Sequence, residues 1–211
     1  MALPTNWLAR LRHGLAAAPN HDPALWQVAG QPLSSFASVQ AAMPATPRAA
    51  AVLVPIVDHA HAPSLLMTTR AGHLRQHAGQ ISFPGGGIEA SDDDVLGAAL
   101  RETEEEIGID SSYVQPLGFL PDQIVLTGFR ITPVVALVRP GFCLRVDSKE
   151  VAEVFEIPLE YLSHAENFRP TRRILSGVEV TLNDLHFEGR VVWGATAGML
   201  QMLRAVLLAA P

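Results

Sequence analysis

The stretch GGGIEASDDDVLGAALRETEEEIGID, residues 85–110, organises the rest of the chain. Three glycines open it, directly after Phe83-Pro84, and a predicted helix with four glutamates within residues 102–106 closes it. At about 100° per residue, three of these glutamates project together within an arc of roughly 100°: Glu102, Glu105 and Glu106. Glu104 points elsewhere. A second, narrow stripe is typical of a helix face packed on a core: Leu96, Leu100, Thr103 and Ile107.

The clustered glutamates predict a metal site. Carboxylates at i, i+3 and i+4 repel one another by a few tenths of a kcal/mol per pair in an isolated helix. A cation between them would remove that repulsion, and oxygen ligands suit Mg²⁺ or Mn²⁺, which also bind phosphate oxygens. The alternative for glutamates alone is a solvated acidic face, but the neighbouring glycines and arginines favour the metal.

The spacing of this stretch resembles the Nudix box of the Nudix hydrolases. Gly87 is followed after five residues by Asp93, and after seven more by Arg101-Glu102-Thr103-Glu104-Glu105-Glu106. Two positions depart from the family pattern, which has glutamate at Asp93 and an aliphatic residue at Thr103. The resemblance implies an α/β/α sandwich with a mixed sheet and metal-dependent hydrolysis of a nucleoside diphosphate derivative. It also implies that Glu102, Glu105 and Glu106 hold the metal, with Arg101 orienting them through ion pairs.

A basic segment, LLMTTRAGHLRQHAGQISFPGG at residues 65–86, precedes the helix. It predicts a strand that ends at Arg70, a basic loop, and a second strand that delivers the glycines. Arginine donates two parallel hydrogen bonds to phosphate, and glycine lets the backbone approach it closely. The predicted substrate-binding residues are Arg70, Arg75, His77, Gln80, Gly85, Gly86 and Gly87.

The same segment resembles the signature of the coenzyme A pyrophosphatase subfamily of Nudix hydrolases. The matching residues are Leu65-Leu66, Thr69, Arg70, Leu74-Arg75, Gly79-Gln80 and Phe83-Pro84-Gly85-Gly86. The resemblance covers about residues 50–200 and implies cleavage of CoA or acyl-CoA into 3′,5′-ADP and (acyl-)4′-phosphopantetheine. The alternatives are another substrate, such as ADP-ribose, NADH or a dinucleoside polyphosphate, or a Nudix-fold binding module without catalysis.

Two further roles follow from the chemistry that the subfamily implies. If all three glutamates bind metal, a general base must lie elsewhere, and Glu150 is the first candidate, with Glu153 the second. CoA differs from ADP-ribose and NADH in its 3′-phosphate and pantetheine arm, so it needs further cationic donors. Arg75 is expected to serve the 3′-phosphate, and Arg70 the pyrophosphate.

Composition limits the partners of the chain. Its 211 residues are 48% hydrophobic and 17% charged, with a net charge of −6. This acidic balance does not favour nucleic acid or an anionic membrane, so the expected partner is a small molecule. Cys143, the single cysteine, excludes an intramolecular disulfide. No signal peptide or long apolar run is evident, which predicts a cytoplasmic protein; a homodimer stays open.

The predicted organisation is an N-terminal extension, residues 1–48, with a helix at about 5–17 and a proline-containing connection, followed by a Nudix domain at residues 49–211. Strands are predicted at residues 50–57, 65–69, 79–83, 113–120, 131–138 and 151–156. Two hairpins are expected, 174–175 with 178–182 and 186–187 with 191–193, and a closing helix at 196–208.

Overall fold

The computed structural model describes residues 2–60, 62–74 and 76–209. The α-helices of this part of the chain are Trp7–Gly14 (α1), Ala37–Ala42 (α2), Val95–Ile107 (α3) and Gly194–Leu208 (α4). The strands up to the acidic helix are Gln27–Val28 (β1), Gln31–Pro32 (β2), Arg48–Val57 (β3), Ser64–Arg70 (β4), Ile81–Ser82 (β5) and Gly85–Gly87 (β6). Those after it are Val114–Phe119 (β7), Gln123–Val125 (β8), Phe129–Val138 (β9), Val151–Pro158 (β10), Phe168–Leu175 (β11), Val178–Phe187 (β12) and Arg190–Val192 (β13).

β3 is the central strand of a mixed sheet. It pairs in parallel with β9 along its whole length and antiparallel with β4 and β6. The main path of the sheet runs β10-β4-β3-β9-β8-β1-β2, and β11, β12 and β13 form a separate small sheet. Because side chains alternate along a strand, Leu53 packs with α3 on one face while Ile56 packs with α4 on the other. The predicted sandwich with a mixed sheet is therefore confirmed.

The N-terminal segment packs on the same core as the rest of the chain. Leu11 of α1 is fully buried in the cluster that contains Leu200 and Leu203 of α4. Gln27 of β1 pairs in parallel with Gln123 of β8, which adds this segment to the main sheet. Sequence patterns did not predict β1, β2 or α2, because each has only two to six residues. The boundary at residue 48 stays a prediction.

The predicted core stripe of α3 is partly wrong. Thr103 and Ile107 are buried, but Leu96 and Leu100 are only half-buried, and the remaining buried apolar side chains of the helix are Ala98 and Ala99. Small residues occupy this face because α3 lies close to β3 and β6. The buried Thr103 hydroxyl donates to the Ala99 carbonyl at 2.7 Å, so the polar group is satisfied within the helix.

Two other features differ from the sequence-based predictions. The three glycines are not a loop between a strand and the helix, because Gly85–Gly87 is itself a strand that pairs with β3. The two predicted hairpins share one continuous strand, β12, and thus form a three-stranded sheet. Within the described residues, no helix combines the length and the apolar character needed to cross a bilayer.

The burial along α3 predicts unequal effects of two truncations. Ile107→Ala should lower the free energy of unfolding by about 2–5 kcal/mol, because it removes a fully buried side chain. Leu100→Ala should cost clearly less, since Leu100 is half-buried. Urea unfolding of both variants measures the difference, and equal losses would contradict the helix orientation described above.

Candidate active site

Two glycines allow the backbone of β6 to lie close to both β3 and α3. A Cβ atom at Gly86 would lie 2.5 Å from Oε1 of Glu102. A Cβ atom at Gly85 would lie 2.3 Å from the carbonyl oxygen of Ala51, and φ there is +152°. A side chain at Gly85 would push β6 away from β3, and one at Gly86 would displace the Glu102 carboxylate, which therefore rests directly against the glycine backbone.

Glu106 is the most deeply buried of the three glutamates. Its side chain is 4% exposed, and its Oε2 accepts the Gly85 N–H at an N···O distance of 3.3 Å. Its Oε1 lies 3.7 Å from Nη1 of Arg70. Burial raises the pKa of Glu106 to about 8, although Arg70 and the Gly85 N–H act to lower it. The carboxylates of Glu102 and Glu150 raise it further.

Glu102 lies one helical turn before Glu106 and is 17% exposed. Burial also raises the pKa of Glu102, while the hydrogen bond from Arg101 lowers it, and Glu105 and Glu150 add to the rise. Glu102 and Glu106 are therefore two partly buried carboxylates on one side of α3. Among the described residues, Glu102 pairs with Arg101 and Glu106 pairs with Arg70. Such a pair of carboxylates favours the arrival of a positive charge.

Arg101 connects this helix to the loop before it. Its Nε and Nη2 donate to the two carboxylate oxygens of Asp92 at 2.8 and 3.0 Å, and Nη2 also donates to the Gly87 carbonyl at 3.1 Å. Its Nη1 donates to Glu102 at 3.0 Å and to Glu105 at 3.1 Å. The N-cap of α3 is Asp94, whose side chain accepts the Gly97 N–H at 2.7 Å. Asp93, at which the family pattern has glutamate, makes neither the contact with Arg101 nor the N-cap hydrogen bond; Asp92 and Asp94 make them.

The three glutamates do not converge as the helical projection indicated. Glu105 is 59% exposed and turned toward Arg101, whereas Glu106 is buried on the sheet side. Across the described residues, no three His, Cys, Asp or Glu side chains already form a compact metal-binding group. A rotation of the exposed Glu105 side chain away from Arg101 would be required for all three to share an ion.

The donor set nevertheless fits a divalent cation. Glu102 and Glu106 supply carboxylate oxygens, the ligands that Mg²⁺ and Mn²⁺ prefer. Burial disfavours their ionised forms, and a nearby dication would offset that cost. Among the described residues, the arginine that pairs with Glu106 is Arg70, and its distance of 3.7 Å is too long for a strong hydrogen bond.

Glu150 joins the site from a distant part of the chain. It immediately precedes β10, whose first residue, Val151, pairs with Arg70. The electrostatic influence of its carboxylate reaches both Glu102 and Glu106, whose pKa values it raises. Glu153, the second candidate for a base, instead forms an ion pair with Arg190 at 2.5 Å.

A cavity of about 460 Å³ opens beside the glycine strand. Arg70, His77, Gln80 and the glycines Gly85, Gly86 and Gly87 line one part of it. The Nδ1 atom of His77 lies 2.8 Å from Oε1 of Gln80. The backbone φ of His77 is +58°. The remaining predicted substrate-binding residue, Arg75, lies outside the described residues.

Most of the cavity wall comes from residues that the sequence patterns did not identify. These residues are mainly apolar and include Val28, Ile124, Leu126, Phe129, Leu175 and Leu182, together with Arg173 and Trp193. They belong to the N-terminal segment, the β8–β9 hairpin, the small sheet and the start of α4. No local pattern brings these segments together. Phe129 and Trp193 do lie in stretches that resemble the CoA pyrophosphatase subfamily, and strand alternation places Arg173 on the same face as Leu175.

The sequence matches a known protein family that is consistent with this fold and site. The model of the NUDIX domain matches residues 46–185, and the chain belongs to the Nudix family of hydrolases, which act on nucleotide derivatives.

Similar proteins are found in bacteria. Proteins described as uncharacterized Nudix hydrolase NudL, from Shigella flexneri serotype 5b and Escherichia coli O6:H1, are 42% identical to this chain over 160 and 156 residues. These alignments cover 76% and 74% of this chain, and 83% and 81% of the relatives. The crystal structure of RenU, a Nudix hydrolase from M. smegmatis, covers 79% of this chain and 89% of its own with a TM-score of 0.53. At 19% identity, it shows a shared fold.

The close approach of Gly86 to Glu102 predicts a selective loss of activity. Gly86→Ala should reduce turnover strongly with little loss of stability, because the added methyl group displaces only the end of the flexible Glu102 side chain. Gly97→Ala provides the matched control, since its Cβ atom would meet only Asp94 Oδ1 at 3.6 Å. That change should preserve turnover and stabilise α3 by about 0.5–1 kcal/mol. Steady-state kinetics and thermal unfolding of both variants test this, and equal turnover would contradict it.

Proposed function

We propose that the protein hydrolyses the pyrophosphate bond of CoA or acyl-CoA, giving 3′,5′-ADP and (acyl-)4′-phosphopantetheine. The observation that carries the proposal is the position of Arg70. It lies between the buried Glu106 carboxylate, at 3.7 Å, and the cavity that it lines. A phosphate group held there would meet the guanidinium and the open backbone of the glycine strand together. The resemblance of residues 65–86 to the CoA pyrophosphatase signature supports the choice of substrate.

The reaction adds water across a P–O–P linkage. Water loses a proton and attacks one phosphorus atom, the bond from that atom to the bridging oxygen breaks, and each product keeps one of the two phosphates of the linkage. Bound Mg²⁺ or Mn²⁺ would supply positive charge to offset that of the phosphate oxygens and would lower the pKa of water. Glu102, Glu105 and Glu106 are the proposed residues that hold it.

The remaining residues position the substrate and move a proton. Arg70 donates hydrogen bonds to the pyrophosphate oxygens, and the glycines allow close approach of the backbone. Arg101 is the positioning residue for Glu102 and Glu105, through its hydrogen bonds at 3.0 and 3.1 Å. Glu150 is the proposed general base, because its charge acts on both Glu102 and Glu106 while its side chain comes from the separate turn before β10.

A hydrolysis panel tests the proposed function. Wild-type protein is incubated with CoA, acyl-CoAs, ADP-ribose, NADH and diadenosine polyphosphates, each with Mg²⁺ or Mn²⁺, and the products are identified by mass. We expect CoA or an acyl-CoA to have the highest kcat/KM and to release 3′,5′-ADP. Much faster hydrolysis of ADP-ribose or NADH would remove the CoA assignment and leave a different Nudix substrate. No metal-dependent turnover of any substrate would favour a binding module.

The proposed metal ligands predict a difference between two adjacent exposed glutamates. Glu105→Gln should lower turnover by roughly 100-fold or more, because even residues behind metal ligands typically contribute 10–100-fold. The control is Glu104→Gln, which removes one charge from the same turn of the same helix outside the site. Kinetics at saturating Mg²⁺ and Mn²⁺, together with Mn²⁺ binding measured by electron paramagnetic resonance, compare the two. Near-normal activity and Mn²⁺ affinity of Glu105→Gln would remove Glu105 from the metal site.

A further inference from the structure

Arg173 is a second cationic residue of the cavity, and neither the metal site nor the basic segment explains it. It comes from β11 in the small sheet, far in sequence from Arg70, yet both side chains line the same space. No aspartate or glutamate is among the described residues that line this cavity. Its wall is mainly apolar, with two arginines and several neutral polar side chains, which suits a ligand that carries anionic groups on an otherwise weakly polar body.

Two neighbours hold the Arg173 guanidinium in place. Its Nη2 donates to Oδ2 of Asp184 at 2.5 Å, and the Asp184 side chain is 2% exposed. The guanidinium carbon also lies 4.6 Å from the centre of the Trp193 ring. Arg173 Nε and Asp184 Oδ1 are both buried without a hydrogen-bond partner among the described residues.

This arrangement leaves part of the guanidinium available to a ligand. Arginine has five N–H donors, and the described residues provide one hydrogen-bond acceptor for them, Asp184. The side chain remains 28% exposed, while the carboxylate behind it is almost completely buried. The Nη1 group can therefore face an anion in the cavity. Because Asp184 and Trp193 fix the planar group in advance, little side-chain entropy would be lost on binding.

We propose that Arg173 and Trp193 form the subsite for the 3′-phosphoadenosine end of CoA. In this subsite, Arg173 donates hydrogen bonds to the 3′-phosphate, and the adenine ring packs on the Trp193 side chain. The proposal rests on the proposed function and specifies which half of the substrate enters the cavity. The 3′-phosphate is also the group that distinguishes CoA from ADP-ribose and NADH, so a fixed arginine here would contribute directly to substrate choice.

The test measures binding of the product half alone, without turnover. Isothermal titration calorimetry compares adenosine 3′,5′-bisphosphate with 5′-AMP, which lacks only the 3′-phosphate. The wild type should bind the bisphosphate more tightly. Arg173→Gln should weaken bisphosphate binding by roughly tenfold to a hundredfold, as expected for hydrogen bonds to a charged group, and leave 5′-AMP nearly unchanged. Arg172→Gln is the matched control, because Arg172 is 80% exposed on the same strand.

Two further variants protect the test against misfolding and separate the two contacts. Arg173→Gln leaves the buried Asp184 without its cation, so the double variant Arg173→Gln/Asp184→Asn removes both charges and should show the same selective loss. Trp193→Leu should instead weaken binding of both nucleotides, 5′-AMP by roughly fivefold to a hundredfold, since it removes a stacking surface for adenine. The bisphosphate should lose at least as much, because Trp193 also holds Arg173.

Distinct outcomes overturn the inference and the proposed function. Equal losses for both nucleotides in the folded Arg173 variants, or none, would overturn the 3′-phosphate contact. So would selectivity that depends on Arg75 alone, as Arg75→Ala would reveal. Selectivity for the bisphosphate in a protein that hydrolyses ADP-ribose far better than CoA would overturn only the proposed function. Hydrolysis of CoA without any selectivity would overturn only this inference.

Discussion

Burying the Glu106 carboxylate on the sheet side of α3 is the constraint on which the site depends. An ionised carboxylate loses several kcal/mol of hydration when it is removed from water. The Gly85 N–H and Arg70 offset only part of that loss, since burial still raises the pKa of Glu106 to about 8. The local structure is arranged around this group: Ala98 and Ala99 let α3 approach β3, and glycines allow β6 to lie against the carboxylates. Larger residues at these positions would separate the carboxylate from its partners.

Arg101 relieves the like-charge repulsion on the outer side of the same helix. One guanidinium serves Asp92, Glu102 and Glu105 and also donates to the Gly87 carbonyl. The loop that precedes α3 is thereby attached to the helix it leads into. Arg101 also pulls Glu105 outward, away from Glu106, so the arginine and a bound cation would compete for that carboxylate. The i, i+4 spacing of Arg101 and Glu105 makes this competition a property of the helix itself.

The sequence predicted those features that depend on local patterns. Apolar runs predicted β3, β4 and β9, and the glutamate spacing identified the helix on which Glu102 and Glu106 meet. The helical projection failed at Leu96 and Leu100 because it cannot show how closely the helix approaches the sheet. It also missed the different burial of Glu105 and Glu106, which depends on where β6 lies. The ligand roles of the three glutamates, and the role of Arg75, stay predictions.

The predicted catalytic groups and most of the cavity wall come from different parts of the fold. The glycine strand and α3 carry the predicted catalytic groups, and both lie within residues 46–185, which match the family. Part of the cavity wall lies outside that range, namely Val28 and Ala29 on one side and residues 193–196 on the other. Between them, β8, β9 and the small sheet supply apolar walls, and α3 contributes no residue to the cavity lining. Since substitutions in these walls would leave Glu102 and Glu106 in place, the fold can alter the group bound beside the pyrophosphate while it keeps the hydrolytic machinery.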